Sequence, residues 1–142
     1  MFSMAREATL LVQTGFPIMF TCANGTGIEK GAILTLSDYM TAATCAADDD
    51  MVAGICAAEK IADNGEVKVA VHREGIFKVT LSGTCAAGDP LATNATSLSN
   101  TVYSVLNTTA LSGSKIIGIA LEAGANTNTI KMDLRPSFGT GA

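Results

Sequence analysis

Few residues in this chain are able to do chemistry. His72 is the sole histidine among 142 residues, so any Ser-His-Asp or Cys-His arrangement would have to be built around it. It ends the alternating run Glu66-Val67-Lys68-Val69-Ala70-Val71-His72, and its counterpart in a second such run is Arg135. The position therefore asks for no more than a polar strand end on the surface. No G-x-S-x-G, H-E-x-x-H or phosphate-loop pattern occurs. Asp48-Asp49-Asp50 is the densest acidic run. Calcium loops interleave carboxylates with other residues and add a distal Glu, so three adjacent Asp read as a solvated turn and no metal site is expected. Cys22, Cys45, Cys56 and Cys85 are spaced too widely for the paired cysteines of zinc or redox sites. Cys45 and Cys85 stand in Thr44-Cys45-Ala46-Ala47 and Thr84-Cys85-Ala86-Ala87, where cysteine reads as a small apolar filler. Free thiols in a reducing compartment are the favoured reading, with two disulfides in a secreted chain as the alternative. No catalytic residue and no cofactor are expected.

Composition narrows the classes further. Hydrophobic residues make up 48% of the chain but aromatics only 5%, with no Trp, so any core is built from small side chains. The balance of 9 basic to 13 acidic residues gives a net charge of −4. Nucleic-acid binding through a basic stripe is excluded on that ground. High hydrophobicity with low net charge is also the reverse of the signature of disorder. No apolar run approaches the roughly 18 residues of a membrane helix, and no membrane partner is expected. Gln13, Gly15 and Pro17 interrupt the apolar stretch after Arg6, so no secretory signal is expected. Sequons at Asn24, Asn94 and Asn107 would matter only in a eukaryotic secretory pathway.

The elements that carry these residues read as strands. Val67, Val69 and Val71 alternate with polar neighbours, as do Phe77, Val79 and Leu81, and Ile130, Met132 and Leu134. Period two places one face on a core and the other in solvent. Asn64-Gly65 and Glu74-Gly75 mark turns between runs. The fold class is therefore all-β.

An internal repeat organises the chain. Met51-Val52-Ala53-Gly54-Ile55-Cys56-Ala57 matches Lys115-Ile116-Ile117-Gly118-Ile119-Ala120-Leu121 at an offset of 64. Val67 to His72 matches Ile130 to Arg135 at an offset of 63, and Lys30 to Thr35 resembles Ala87 to Ala92. The domain reading is an extended N-terminal arm over 1–27, a β-barrel over 28–136 with pseudo-repeats of about 28–77 and 85–136, and a tail over 137–142. Neither half is expected to close a sheet alone, so the two should form one pseudo-twofold barrel. Gly54 and Gly118 lie mid-strand, where glycine marks a bend or close approach.

The arm carries Phe2, Met4, Leu10, Leu11, Val12, Phe16, Ile18, Met19 and Phe20. Each large side chain contributes about 1.5–3 kcal/mol when fully buried, so the arm needs a surface to cover. It either packs on its own barrel or is captured by a neighbouring subunit through strand addition. Removal of residues 1–20 is expected to leave a folded barrel.

Two family resemblances bear on this pattern. Gly88-Asp89-Pro90-Leu91 and Ile130-Lys131-Met132 are separately similar to pieces of biotinyl and lipoyl carrier domains. The modified lysine of those domains sits on a hairpin tip, whereas Lys131 lies in the last alternating run with Lys68 as its counterpart. Carrier function is not expected. The second likeness covers about residues 14–136. Its order is an apolar arm, Ile28-Glu29-Lys30-Gly31, Val52-Ala53-Gly54-Ile55, Gly88-Asp89, Ile117-Gly118-Ile119-Ala120-Leu121-Glu122-Ala123 and Leu134-Arg135-Pro136. This resembles the capsid decoration, or cement, proteins of tailed bacteriophages, related to the lambda-type head-decoration group with its small β-tulip barrel.

The resemblance implies a structural virion protein and no enzyme. It implies binding to the outer surface of the expanded capsid, where the protein clamps neighbouring major capsid subunits, after synthesis in the host bacterial cytoplasm. It also implies a homo-oligomer, a trimer ahead of a dimer, docked through the arm residues named above. Two alternatives remain at this point: a secreted, adhesin-like β-subunit assembled by strand exchange, and a small ligand-binding barrel.

Overall fold

The computed structural model describes residues 8–44, 51–94, 101–104 and 112–140. Among the described residues eleven strands are formed and there is no helix: β1 (Thr9–Val12), β2 (Ile18–Thr21), β3 (Ile33–Asp38), β4 (Thr41–Thr44), β5 (Val52–Cys56), β6 (Lys68–His72), β7 (Gly75–Leu81), β8 (Pro90–Asn94), β9 (Thr101–Ser104), β10 (Ser112–Ala120) and β11 (Thr129–Thr140). The segment expected as an arm thus supplies two strands, β1 and β2, and the segment expected as a tail continues β11.

The first five-strand set closes into a barrel in the order β2-β4-β3-β5-β6. One of its contacts is parallel, Thr21 against Thr41, and the other four are antiparallel. The second set repeats these pairings strand for strand. β7, β11, β10, β8 and β9 follow one another by antiparallel pairing, and the parallel contact of Thr80 with Thr101 joins β9 back to β7. The expectation that neither half could close alone is corrected by this topology. Each half makes its own ring, because a single parallel contact joins its first and third strands.

The halves meet through unequal faces. Every residue of β5 is buried. Ala53 and Cys56 join Phe20, Leu34, Val69 and Val71 in the first core. Val52 and Ile55, with Ile33, join Phe77, Val79, Leu91, Ile130, Met132 and Leu134 in the second. Ile55 is fully covered, whereas its counterpart Ile119 on β10 is 38% exposed. The two halves thus repeat each other in strand pairing, while the burial of this position differs between them. The first core contains Ala32, Ala42, Ala53, Cys22 and Cys56, the small-residue interior implied by the composition.

Register aligns the repeats. Leu34 lies opposite Gly54 and Leu91 opposite Gly118, as the matched segments imply. The last strands are shifted. Ile55 faces His72 and Ile119 faces Asp133, so the counterpart of His72 is Asp133 and not Arg135. A slip of two residues preserves which side chains point inward, so periodicity alone cannot detect it. Lys131 lies within β11, opposite Lys78 of β7.

Candidate functional site

β1 lies along β7, with Thr9 opposite Lys78, Leu10 opposite Phe77 and Val12 opposite Ile76. Alternation turns Ala8 into the second core and Leu10 partly against it, while Leu11 points out. A register shift between Leu10 and Val12 turns Val12 outward as well. The chain then turns through Gln13, whose side-chain amide donates to the Gly15 carbonyl at 3.0 Å. At Gly15 a Cβ would strike the Glu74 carboxylate. Phe16 and Pro17 lead into β2, which pairs with β6 from Ile18 to Thr21.

This path divides the expected arm residues into three groups. Phe2 and Met4 lie outside the described residues. Phe20 is buried in the first core and Leu10 is half-buried. Leu11, Val12, Phe16, Ile18 and Met19 are exposed, Phe16 by 89%. Nine consecutive residues thus leave five large apolar side chains exposed, an apolar ridge along the chain path, and exposed apolar residues in such number mark a surface that meets a partner. Because Phe20 completes the first core and β2 is one of the five ring strands, removal of residues 1–20 would open that ring. The expectation that the barrel tolerates this truncation is corrected.

Chemistry is sparse elsewhere among the described residues. His72, expected on the surface, is buried, with 8% of its area exposed. It ends β6 where the two rings meet, and its ring contacts Phe77 edge-to-face at 5.5 Å. Its Nδ1 has no hydrogen-bond partner. Burial, and secondarily the charge of Lys30, lowers its pKa below the ordinary value. With Leu10, Gln13, Lys30, Cys56 and Phe77 it lines a cavity of about 540 Å³. No described serine or carboxylate hydrogen-bonds to it, so no triad is assembled.

Cys22, Cys56 and Cys85 are buried and unpaired, and burial raises each thiol's pKa. Unreactive thiols of this kind are structural. Cys45 and Asp48-Asp49-Asp50 lie outside the described residues. Among the described residues no group of His, Cys, Asp and Glu is placed to hold a metal ion.

Lys60 was not singled out by the sequence, yet it is almost fully buried. Its ammonium donates to the carbonyls of Asn24 at 2.8 Å, Thr26 at 3.1 Å and Ile61 at 3.3 Å. Three convergent carbonyls satisfy its three donors, so this lysine ties the loop after β2 to the loop after β5. Its place in the second half is taken by Gly124, since the bridge of Ile28 to Lys60 recurs as Cys85 to Gly124. No sequence signal distinguishes it from a surface lysine.

Comparison with known proteins agrees with an ordered structural barrel. The N base of the head fiber gp8.5 of bacteriophage phi29 has a similar fold, with a TM-score of 0.55 at 14% identity, over 86% of this chain and 97% of that one. No curated protein sequence matches. A family model described as phage cement protein matches residues 12–135, which takes in β2 to β10, most of β11 and the exposed ridge from Val12 onward. The chain therefore belongs to the phage cement protein family, and its role is that of a structural component of the virion.

Proposed function

We propose that the protein binds the outer surface of the expanded capsid through the ridge of Leu11, Val12 and Phe16, flanked by Ile18 and Met19, and clamps neighbouring major capsid subunits. The observation that carries this reading is the ridge itself, five exposed apolar side chains on a fold of a cement family. Burying them would contribute roughly 1.5–3 kcal/mol each at full coverage. Several copies acting together, as in the trimer favoured for lambda-type decoration barrels, would multiply weak single contacts through effective concentration. Three buried unpaired thiols support a chain made in a reducing cytoplasm over the secreted, adhesin-like alternative.

Clamping is tested by heating DNA-filled heads that have been stripped of their own decoration. Added protein is expected to raise the temperature at which DNA is released, and the effect should saturate. Release at the same temperature with and without saturating protein would contradict the clamping role.

A further inference from the structure

The two rings differ at one edge. In the second ring β11 covers one edge of β7 from Gly75 to Thr80. The other edge is shared by β1, at Ile76 to Lys78, and β9, at Thr80 and Leu81. β2 takes the place of β7 in the first ring. There β6 covers one edge, and β4 meets the other only at Thr21.

Hydrogen-bond parity shows what is left. The Cys22 N–H donates to Val67 at 2.9 Å on the β6 side, while the Thr21 N–H donates to Met40 at 2.7 Å on the opposite side. Main-chain groups alternate between edges along a strand, so the N–H and C=O of Met19 point to the side of Thr21. The carbonyl of Ala70, opposite Met19, accepts instead from Ala57 at 2.8 Å, which fixes the same parity. Met19 and Lys78 are equivalent, each two residues before the threonine of its ring's parallel contact. Lys78 has Thr9 against it. Met19 has no strand against it among the described residues, and its side chain is 54% exposed.

We propose that this open edge of β2 receives the N-terminal segment 1–7 of a second copy of the chain as an added strand. The strand seated on the equivalent edge is β1, which turns Ala8 and Leu10, two apart, toward the core. Residues 1–7 contain Phe2 and Met4 at the same spacing. The described residues begin at Ala8, whose N–H donates to the Gly31 carbonyl at 2.8 Å. Seven extended residues reach about 23 Å, enough to leave one copy and lie along the edge of another. Main-chain pairing supplies affinity in such strand addition and the alternate side chains supply register. Exchange of an identical segment between copies is a low-cost route to assembly.

Sedimentation of the free protein, without heads, tests this. The full chain is expected to form a concentration-dependent oligomer. Met19→Pro removes an N–H that no described strand uses, and proline is tolerated on edge strands. That variant and one lacking residues 1–7 should each weaken self-association at least tenfold, with the far-UV circular dichroism retained. Ser3 lies between Phe2 and Met4 as Thr9, the partner of Lys78, lies between Ala8 and Leu10. Mixing Ser3→Cys with Met19→Cys chains should therefore give a disulfide-linked dimer above the wild-type background, which keeps the test open if the proline variant misfolds. A monomer at every concentration, an oligomer unaffected by either change, or no cross-link in the mixture would overturn the proposal. Head attachment is scored separately, so failure here leaves the capsid reading to its own test.

Discussion

Gly54 lies directly against the main-chain carbonyl of His72, so close that a Cβ on Gly54 would overlap that oxygen. The second ring repeats the relationship between Gly118 and the carbonyl of Asp133. These two contacts let the fourth strand of each ring cross its fifth at close range, and they explain why Gly-Ile recurs at the centre of both copies. Gly54 also has a φ of +153°, a conformation that side chains rarely adopt.

Gly54→Ala is therefore expected to destabilise the protein on the order of 3 kcal/mol, from overpacking added to backbone strain. Thermal unfolding should show a midpoint about 10 °C lower. Gly65→Ala, at a turn with nothing within 4 Å of the added carbon, also has a positive φ, so it separates strain alone from strain plus collision. Equal losses at the two sites would contradict the close-approach account.

Lys60 makes a second, independent prediction. Lys60→Met keeps most of the aliphatic stem but leaves the carbonyls of Asn24, Thr26 and Ile61 without their shared donor. Hydrogen bonds to charged groups contribute roughly 1.5–3 kcal/mol, and a buried group left unsatisfied costs a similar amount. A loss of about 2–4 kcal/mol is expected from urea unfolding. A loss near zero would mean that water takes over those carbonyls and that Lys60 is dispensable.

His72 gives the fold a pH dependence of definite sign. Its pKa in the folded protein is lowered, first by burial and then by Lys30, so the unfolded chain binds the proton more readily. Its contribution to stability is present above the unfolded pKa of about 6.5 and is lost as pH falls from there toward the lowered folded value. Unfolding midpoints should drop between about pH 7.5 and pH 5.5, and His72→Gln should flatten that slope. An unchanged slope in the variant would assign the titration to another group.

How much of this was legible in the sequence depended on range. Val69, Val71, Phe77, Val79, Leu81, Ile130, Met132 and Leu134 are all buried, as period-two alternation requires, because alternation is a property of each strand by itself. Val67, expected on the same face, precedes β6 and is 50% exposed. The contacts that close the rings, Thr21 with Thr41 and Thr80 with Thr101, join segments about 20 residues apart and leave no local signature. The apolar arm looked uniform because composition cannot separate Phe20, sealed in the first core, from Phe16, four residues earlier and 89% exposed. Burial of His72 likewise comes from the meeting of two rings and β1, which no single strand reveals. The glycines were legible as close approaches, but their partner, a carbonyl on the following strand, depended on a register shifted by two residues.

The capsid-docking role of the ridge is tested most directly by co-sedimentation with expanded heads from the same source, stripped of their own decoration. The wild-type chain is compared with Leu11→Ser/Phe16→Ser, whose altered side chains are exposed and outside both cores. Saturable wild-type binding at a fixed ratio to the major capsid protein is predicted, with binding by the double variant at least tenfold weaker and its folding unchanged. No wild-type binding, or equal binding by the two proteins, would contradict the account.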